Sequence, residues 1–108
     1  MKRGATALGA LSGDYGKVRP VLIIQSDRLA DLESVVVCPM TSDFDEWRSF
    51  RVQVNPSESN GLEAASLIMI EKLGAIDKHR IRRELGTLEP ELLAEVDEKL
   101  AFVFGLAD

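Results

Sequence analysis

One cysteine, Cys38, and one histidine, His79, are the only thiol and imidazole in this sequence. A lone cysteine excludes an internal disulfide and fits a reducing compartment. One Cys and one His are too few donors for a structural zinc site. Long apolar runs are also missing: nothing approaches the roughly 20 residues that a bilayer-spanning helix needs. The opening residues MKRGATALGALSGDYG begin with charge and hold a short apolar patch, too brief and too glycine-interrupted for a secretion signal. No glycine-rich loop leads into a helix to cradle a nucleotide, and no His-x-x-x-His pair or carboxylate cluster suggests a metal. A basic surplus is the last absence. The formal net charge is −5, which argues against a strongly basic nucleic-acid binder.

What remains is the composition of an ordinary folded domain, 45% hydrophobic and 29% charged. A single domain of 108 residues buries about 60–65% of its unfolded surface, enough for one modest core. No internal repeat, low-complexity tract or linker divides it. Charge is unevenly spread. Residues 1–51 hold seven Lys/Arg and seven Asp/Glu, whereas residues 52–108 hold six and eleven. The run KHRIRR at residues 78–83 is locally basic, and a local patch can bind phosphate on an acidic protein.

The apolar pattern predicts strands in succession. Residues 6–11 make a weak first strand, rich in Ala and Gly. A polar, glycine-bearing loop follows over residues 12–18. Val21 to Gln25 and Ser34 to Met40 read as buried strands, the second ended by Pro39. Asp27 to Leu32 reads as a short helical turn, and residues 41–49 as a polar loop. Phe50 to Val54 alternates as a half-exposed strand does. Residues 55–61 form a turn-rich loop, Ser66 to Ile70 another apolar strand, and residues 80–87 a further strand. The last segment is the clearest helix. Pro90 suits its first turn, Glu89 and Glu91 suit the positive end of its dipole, and Gly105 can end it. Leu92, Leu93, Val96, Leu100, Val103 and Phe104 recur at spacings of three and four and form its apolar stripe. Strands that do not alternate with helices predict a mainly antiparallel, strongly curved sheet with one packed C-terminal helix.

Three polar sites stand at the ends of apolar strands. Pro20 lacks an N–H and biases Arg19 toward extended backbone, so Arg19 projects from a fixed base. Its planar fork of donors suits a phosphate; otherwise it is a solvated strand-edge arginine. Thr41 and Ser42 follow the strand SVVVCPM, and their hydroxyls could bond phosphate oxygens or only cap the loop with Asp43. Glu71 follows SLIMI and offers a carboxylate as general base, or half of a surface ion pair with Lys72. His79 reads as a solvated bystander among cations, and Cys38 as plain core.

Taken together, MKRG at residues 1–4, GDYGKVRPVLIIQSD at 13–27 and VVVCPMTS at 35–42 resemble the MazF/PemK toxins of bacterial toxin–antitoxin pairs. NGLEAASLIMIEKL at residues 60–73 and RIRRELGTLEPELLAEVDEKLAFVFGL at 80–106 fit the same pattern. The resemblance spans nearly the whole chain in order and spacing. The pairing of Arg-Pro at one strand's start with Thr-Ser after the next is its most specific part.

The resemblance implies a small SH3-like, CcdB-type curved antiparallel β-barrel with a C-terminal helix, a single domain over residues 1–108 and a homodimer. It implies a cytoplasmic endoribonuclease, off the membrane, that cuts single-stranded mRNA at a specific sequence and is held in check by a cognate antitoxin. No metal and no cofactor are expected. The ribose 2′-hydroxyl attacks its own phosphate, leaving a 2′,3′-cyclic phosphate and a 5′-hydroxyl. Arg19 would neutralise charge growing on the phosphate, and Thr41 would donate a hydrogen bond to a phosphate oxygen. Ser42 and Lys17 would support them, with Gln25 and Ser26 lining the groove and Glu71 as candidate base. Tyr15, Phe44 and Trp47 are the candidates for stacking on bases. Two departures stand out: Ala5 follows Arg3-Gly4 where the family commonly has an acid, and Met69 stands where some members have arginine. The alternatives are a gyrase-binding toxin of the same fold, like CcdB, and a catalytically weakened relative. A gyrase poison of that kind presents a Trp-containing helix tip, and this helix has no Trp.

Overall fold

Ala5–Ala10 (β1) has little strand propensity of its own, and it becomes a strand because it is paired along both edges. In the computed structural model, which describes residues 1–11 and 17–107, its partners are Val18–Ile23 (β2) and Ile81–Thr87 (β7), both antiparallel. Its small side chains are what such a centre accepts: Ala5, Ala7 and Ala10 are all buried. The pairing with β7 shifts register between Thr6 and Ala7 and again between Leu8 and Gly9. Irregularities of this kind bend and twist a sheet, and here they help it curl.

The remaining strands are Ser34–Thr41 (β3), Val52–Val54 (β4), Ser66–Ile68 (β5) and Gly74–Asp77 (β6), followed by the helix Pro90–Val103 (α1). The sheet runs β4-β5-β3-β2-β1-β7, with β6 also beside β3, and every pair is antiparallel. This is the expected mainly-β fold, a curled antiparallel sheet with one C-terminal helix. Both faces carry apolar residues. Leu22, Met40, Val52, Val54, Ile68, Ile70 and Leu88 pack beneath α1 with its Leu92, Leu93, Val96, Leu100 and Val103. A second cluster joins Ala5, Ala7, Val21, Ile23, Val35, Val37 and Ile76.

The details differ from expectation in ways that matter for the site. Pro39 does not end its strand. The β6 partners of β3 stop at Val37 and the β5 partners start at Met40, so the missing N–H of Pro39 falls in the gap between two neighbours. Arg19-Pro20 lies inside β2, not ahead of it, on a stretch whose only strand neighbour among the described residues is β1. An open edge tolerates a proline. β6 is unforeseen, because GAID has no apolar run and is held by pairing with Ser34 to Val37. The strand expected over 66–70 stops at Ile68, and Ile70–Lys72 forms a 3₁₀ turn. Phe104 leaves the helix's apolar stripe: the helix ends at Val103, and Phe104 caps it with 59% exposure. Of the loop expected over residues 12–18, residues 12–16, Tyr15 included, lie outside the described residues.

Candidate active site

β2 and β3 are paired from Ile23↔Val37 to Val21↔Pro39, and the pairing stops there. Continued by two residues, that register would set Arg19 opposite Thr41. The two strands splay instead, and a cleft of about 610 Å³ opens in which both residues are lining groups. Two short stretches that are far apart in sequence therefore converge because they are the unpaired continuations of one ladder. Each is anchored by a buried apolar strand immediately behind it: Val21 and Leu22 on one side, Cys38 and Met40 on the other.

The cleft is locally less acidic than the chain. Lys17, Arg19, Lys72 and Arg83 line it, against the carboxylates Asp43, Glu46 and Glu63. Among the described residues that is four cations to three carboxylates, on a protein of net charge −5. Ser42 is exposed at the rim, and Met69 and Ser66 form buried parts of the wall. Of the basic run KHRIRR, only Arg83 reaches the cleft. Lys78 and His79 line a separate depression with Asp31 and Glu33, and His79 is exposed, as a solvated bystander would be.

The Thr41 hydroxyl is already engaged. Its Oγ1 lies 3.1 Å from Glu46 Oε2 and accepts the backbone N–H of Asp43, also at 3.1 Å. An ionised carboxylate only accepts, so the hydroxyl is the donor to Glu46. Its proton is therefore not available to a phosphate oxygen in this arrangement, contrary to the role expected from sequence. The turn that brings Glu46 there is local: Phe44–Glu46 is one 3₁₀ turn, capped by the Asp43 side chain on Asp45 N–H. Glu46 was not singled out from sequence. The signal present was the string TSDFDE, a hydroxyl followed by an Asp-capped turn that points a carboxylate back at it.

Glu71 stands elsewhere. The Arg51 Nε lies 3.2 and 3.1 Å from its two carboxylate oxygens, and Arg51 Nη2 bonds Glu71 Oε2 as well. Arg51 Nη1 also donates to the backbone oxygen of Glu46 at 2.6 Å. The Arg51 side chain is only 7% exposed. One guanidinium thus ties the end of the Glu46 turn to the exit of β5. Glu71 is not among the groups lining the cleft, which places the proposed base outside it and committed to another partner. Burial opposes the Glu71 charge, but the hydrogen bonds from Arg51 and the backbone and the attraction of Arg51 and Lys72 outweigh it, so its carboxyl titrates below the ordinary range. The alternating pattern of residues 50–54 predicted Arg51 outward beside Gln53; the strand starts only at Val52, and Arg51 turns inward.

A carboxylate whose folded pKa is depressed adds stability that is present above its unfolded value, about 4.3, and lost as pH falls through the lower folded value. Glu71→Gln is expected to cost about 1 kcal/mol at neutral pH, since Glu71 is partly exposed and screened by solvent and the glutamine oxygen still accepts from Arg51. Urea denaturation at about pH 7 and about pH 3 measures it: the gap between wild type and variant narrows at the lower pH. An equal gap at both values would show that the ion pair is not what the substitution removes.

Gln25 and Ser26 are not at the groove. They line a small pocket at the far end of β2 with Ile23, Asp27 and Val35. Gln25 donates to Leu29 O and Ser34 O and accepts from Val36 N–H, holding the β2–β3 connection closed. Ser26 caps the 3₁₀ turn Asp27–Leu29 through Arg28 N–H. Their amide and hydroxyl serve the backbone, which is why they follow that strand. Ala5 is core at 4% exposure and is not a cleft group, so this departure from the family pattern touches packing. Arg3 beside it bonds Ile24 O and pairs with Asp97 at 2.6 Å, tying the N-terminal segment to α1. Cys38 is fully buried, and burial pushes its thiol up to about 12, consistent with core and not with a nucleophile.

The family described as "PemK-like, MazF-like toxin of type II toxin-antitoxin system" matches residues 2–104. A probable endoribonuclease MazF of Mycolicibacterium smegmatis is 33% identical, with 99% of each chain covered. The endoribonuclease EndoA of Bacillus subtilis is 30% identical over all of this chain and 97% of its own. Among solved structures, the Mycobacterium tuberculosis toxin MazF-mt6 superposes with a TM-score of 0.79 at 24% identity, covering 96% of this chain and 99% of that one. A mycobacterial endoribonuclease solved in complex with its cognate antitoxin gives 0.80 at 21% identity, over 100% and 98%. The structural likenesses carry the fold; the family match and the two sequence relatives carry the kinship.

Proposed function

Because the chain belongs to the PemK-like, MazF-like toxins of type II toxin–antitoxin systems, we propose that it is an endoribonuclease that cleaves single-stranded mRNA at the cleft between β2 and β3. The observation that carries this is the convergence of Arg19 and Thr41 on one cleft with a local excess of cations. A gyrase-binding role has no support from the relatives found; of the two departures from the family pattern, Ala5 is not a cleft group, whereas Met69 lines the cleft wall, so a weakened enzyme stays the second reading.

The chemistry needs no protein nucleophile. The 2′-hydroxyl of the substrate attacks the adjacent phosphorus, the 5′-oxygen departs, and a 2′,3′-cyclic phosphate and a 5′-hydroxyl remain. Arg19 neutralises the charge that develops on the phosphate oxygens, from a half-buried position where a fixed cation acts most strongly. An arginine pKa above about 12 makes it a poor proton donor, so its role is electrostatic. Lys17, Ser42, Lys72 and Arg83 hold the flanking phosphates. Sequence-specific cleavage without a metal is part of the proposal. A cognate antitoxin would occupy the same cleft, an acidic segment standing in for RNA against Arg19. A cytoplasmic homodimer completes the proposal; no helix among the described residues is long and apolar enough to cross a membrane.

The test is a digest of long single-stranded RNA in EDTA, with mapping of 5′ ends and analysis of the new termini. Discrete cuts that leave cyclic phosphate are the expected result. Intact RNA, or cuts that appear only when a divalent metal is added, would overturn the proposal.

A further inference from the structure

With Glu71 held by Arg51, the carboxylates that line the cleft among the described residues are Asp43, Glu46 and Glu63, and they are not equivalent. Asp43 uses Oδ1 to cap its turn, and Glu63 lies exposed in the loop before β5. Glu46 is half-buried, is carried on a turn whose last carbonyl is held by Arg51 Nη1, and contacts the Thr41 hydroxyl. That hydroxyl has one donor and two acceptor lone pairs. The donor is spent on Glu46 and one lone pair on Asp43 N–H. One lone pair remains. Thr41 can therefore accept a further hydrogen bond but has no proton left to donate.

We propose that Glu46 is the terminal proton acceptor of the cleavage reaction, reached through Thr41. This rests on the ribonuclease reading above and deepens it. The substrate 2′-hydroxyl donates to the free lone pair of Thr41 Oγ1. As the O2′–P bond forms and the P–O5′ bond breaks, the 2′ proton passes to Thr41 Oγ1 and the threonine's own proton passes to Glu46 Oε2. The departing 5′-oxygen takes a proton from water, and Glu46 returns its proton to solvent after product leaves. Arg19 faces the phosphate throughout. Thr41 touches the reacting oxygen, and Glu46 completes the relay behind it. The Arg51–Glu71 pair is a positioning element: it fixes the carbonyl of Glu46 and keeps its turn in place.

Glu46→Gln separates a relay from a mere support, because a glutamine amide oxygen still accepts the Thr41 hydrogen bond but is a far weaker base. Neither Glu46→Gln nor Glu46→Ala removes the carbonyl that Arg51 holds, and matching thermal melts verify the fold. The measurements are kcat and KM on single-stranded RNA in EDTA, and equilibrium binding of an all-2′-deoxy copy of that RNA, which cannot be cut. Both variants are expected to lose kcat by about 100-fold or more, with binding of the copy nearly unchanged. If Glu46→Gln cuts as fast as wild type, Glu46 only orients Thr41 and the relay is wrong. If either variant cuts faster, Glu46 stands where a phosphate belongs, and the relay is equally wrong. Failure of wild type itself to cut would remove the ribonuclease reading, whereas wild-type cutting with a fast Glu46→Gln removes the relay alone.

Discussion

Arg19→Ala is expected to lower kcat on single-stranded RNA by about 10²–10³-fold, the loss typical of removing one preorganised charge-stabilising donor. The argument is positional. Arg19 sits on the open-edged start of β2, with Pro20 fixing the backbone beside it and Val21 and Leu22 fully buried behind. Its backbone is fixed and a cation there acts on charge that develops only in the transition state, so its effect is expected in kcat more than in KM. Arg19→Lys is expected to recover only part of the rate, since an ammonium offers a point charge and not a planar fork. Steady-state kinetics on both variants, with thermal melts as a control for folding, provide the check. A rate for Arg19→Ala close to wild type would show that the phosphate is held elsewhere, and Lys17, Lys72 and Arg83, the other cations that line the cleft, would be the next to examine.

The two ends of the candidate site stood out in the sequence for a physical reason. Arg19-Pro20 and Thr41-Ser42 each adjoin an apolar stretch, and polar groups next to buried strands must face either solvent or a ligand. What the one-dimensional pattern does not contain is which end of a strand matters. Gln25 and Ser26 adjoin the same apolar run as Arg19, but β2 has six residues, which at about 3.3 Å each separates its two ends by about 20 Å. Only its N-terminal end splays from β3. The ladder register decides that, and the register depends on pairing partners that no local pattern names. Arg51 and Glu71 illustrate the same limit. Period-two alternation assigns Arg51 to solvent, and only the late start of β4 lets it turn inward onto Glu71 and the Glu46 carbonyl. Glu46 was hidden for the opposite reason: its contact is local, five residues from Thr41, but an acid in a polar loop is the commonest kind of solvated residue and carries no signal until the turn geometry is known. β6 was missed because its order comes from β3 and not from its own residues.

Gly61→Ala is expected to be among the most destabilising single-methyl additions in the chain, at about 3–5 kcal/mol. Two costs combine. Gly61 has φ +66°, in the left-handed region, and a Cβ built there would lie 2.3 Å from the backbone oxygen of Leu85 on β7. The first cost is about 1–2 kcal/mol for an L-residue. The second cannot be relieved by rotating a side chain, because the obstacle is backbone in a paired strand. Movement of that strand would also disturb the cleft, which Gly61 and Leu85 both line. Gly105 separates the two terms: its φ is +72°, yet nothing lies within 4 Å of the added methyl. Gly105→Ala is thus expected to show the conformational cost alone, about 1–2 kcal/mol. For a domain of this size each kcal/mol corresponds to roughly 4–8 °C in Tm, so the two variants are readily resolved by thermal melts. Equal losses would mean that the approach of residue 61 to β7 is looser than the geometry indicates. A larger loss for Gly61→Ala than for Gly105→Ala, accompanied by reduced RNA cleavage at temperatures where the Gly61 variant is still folded, would support a link between the packing of this loop on β7 and the width of the cleft.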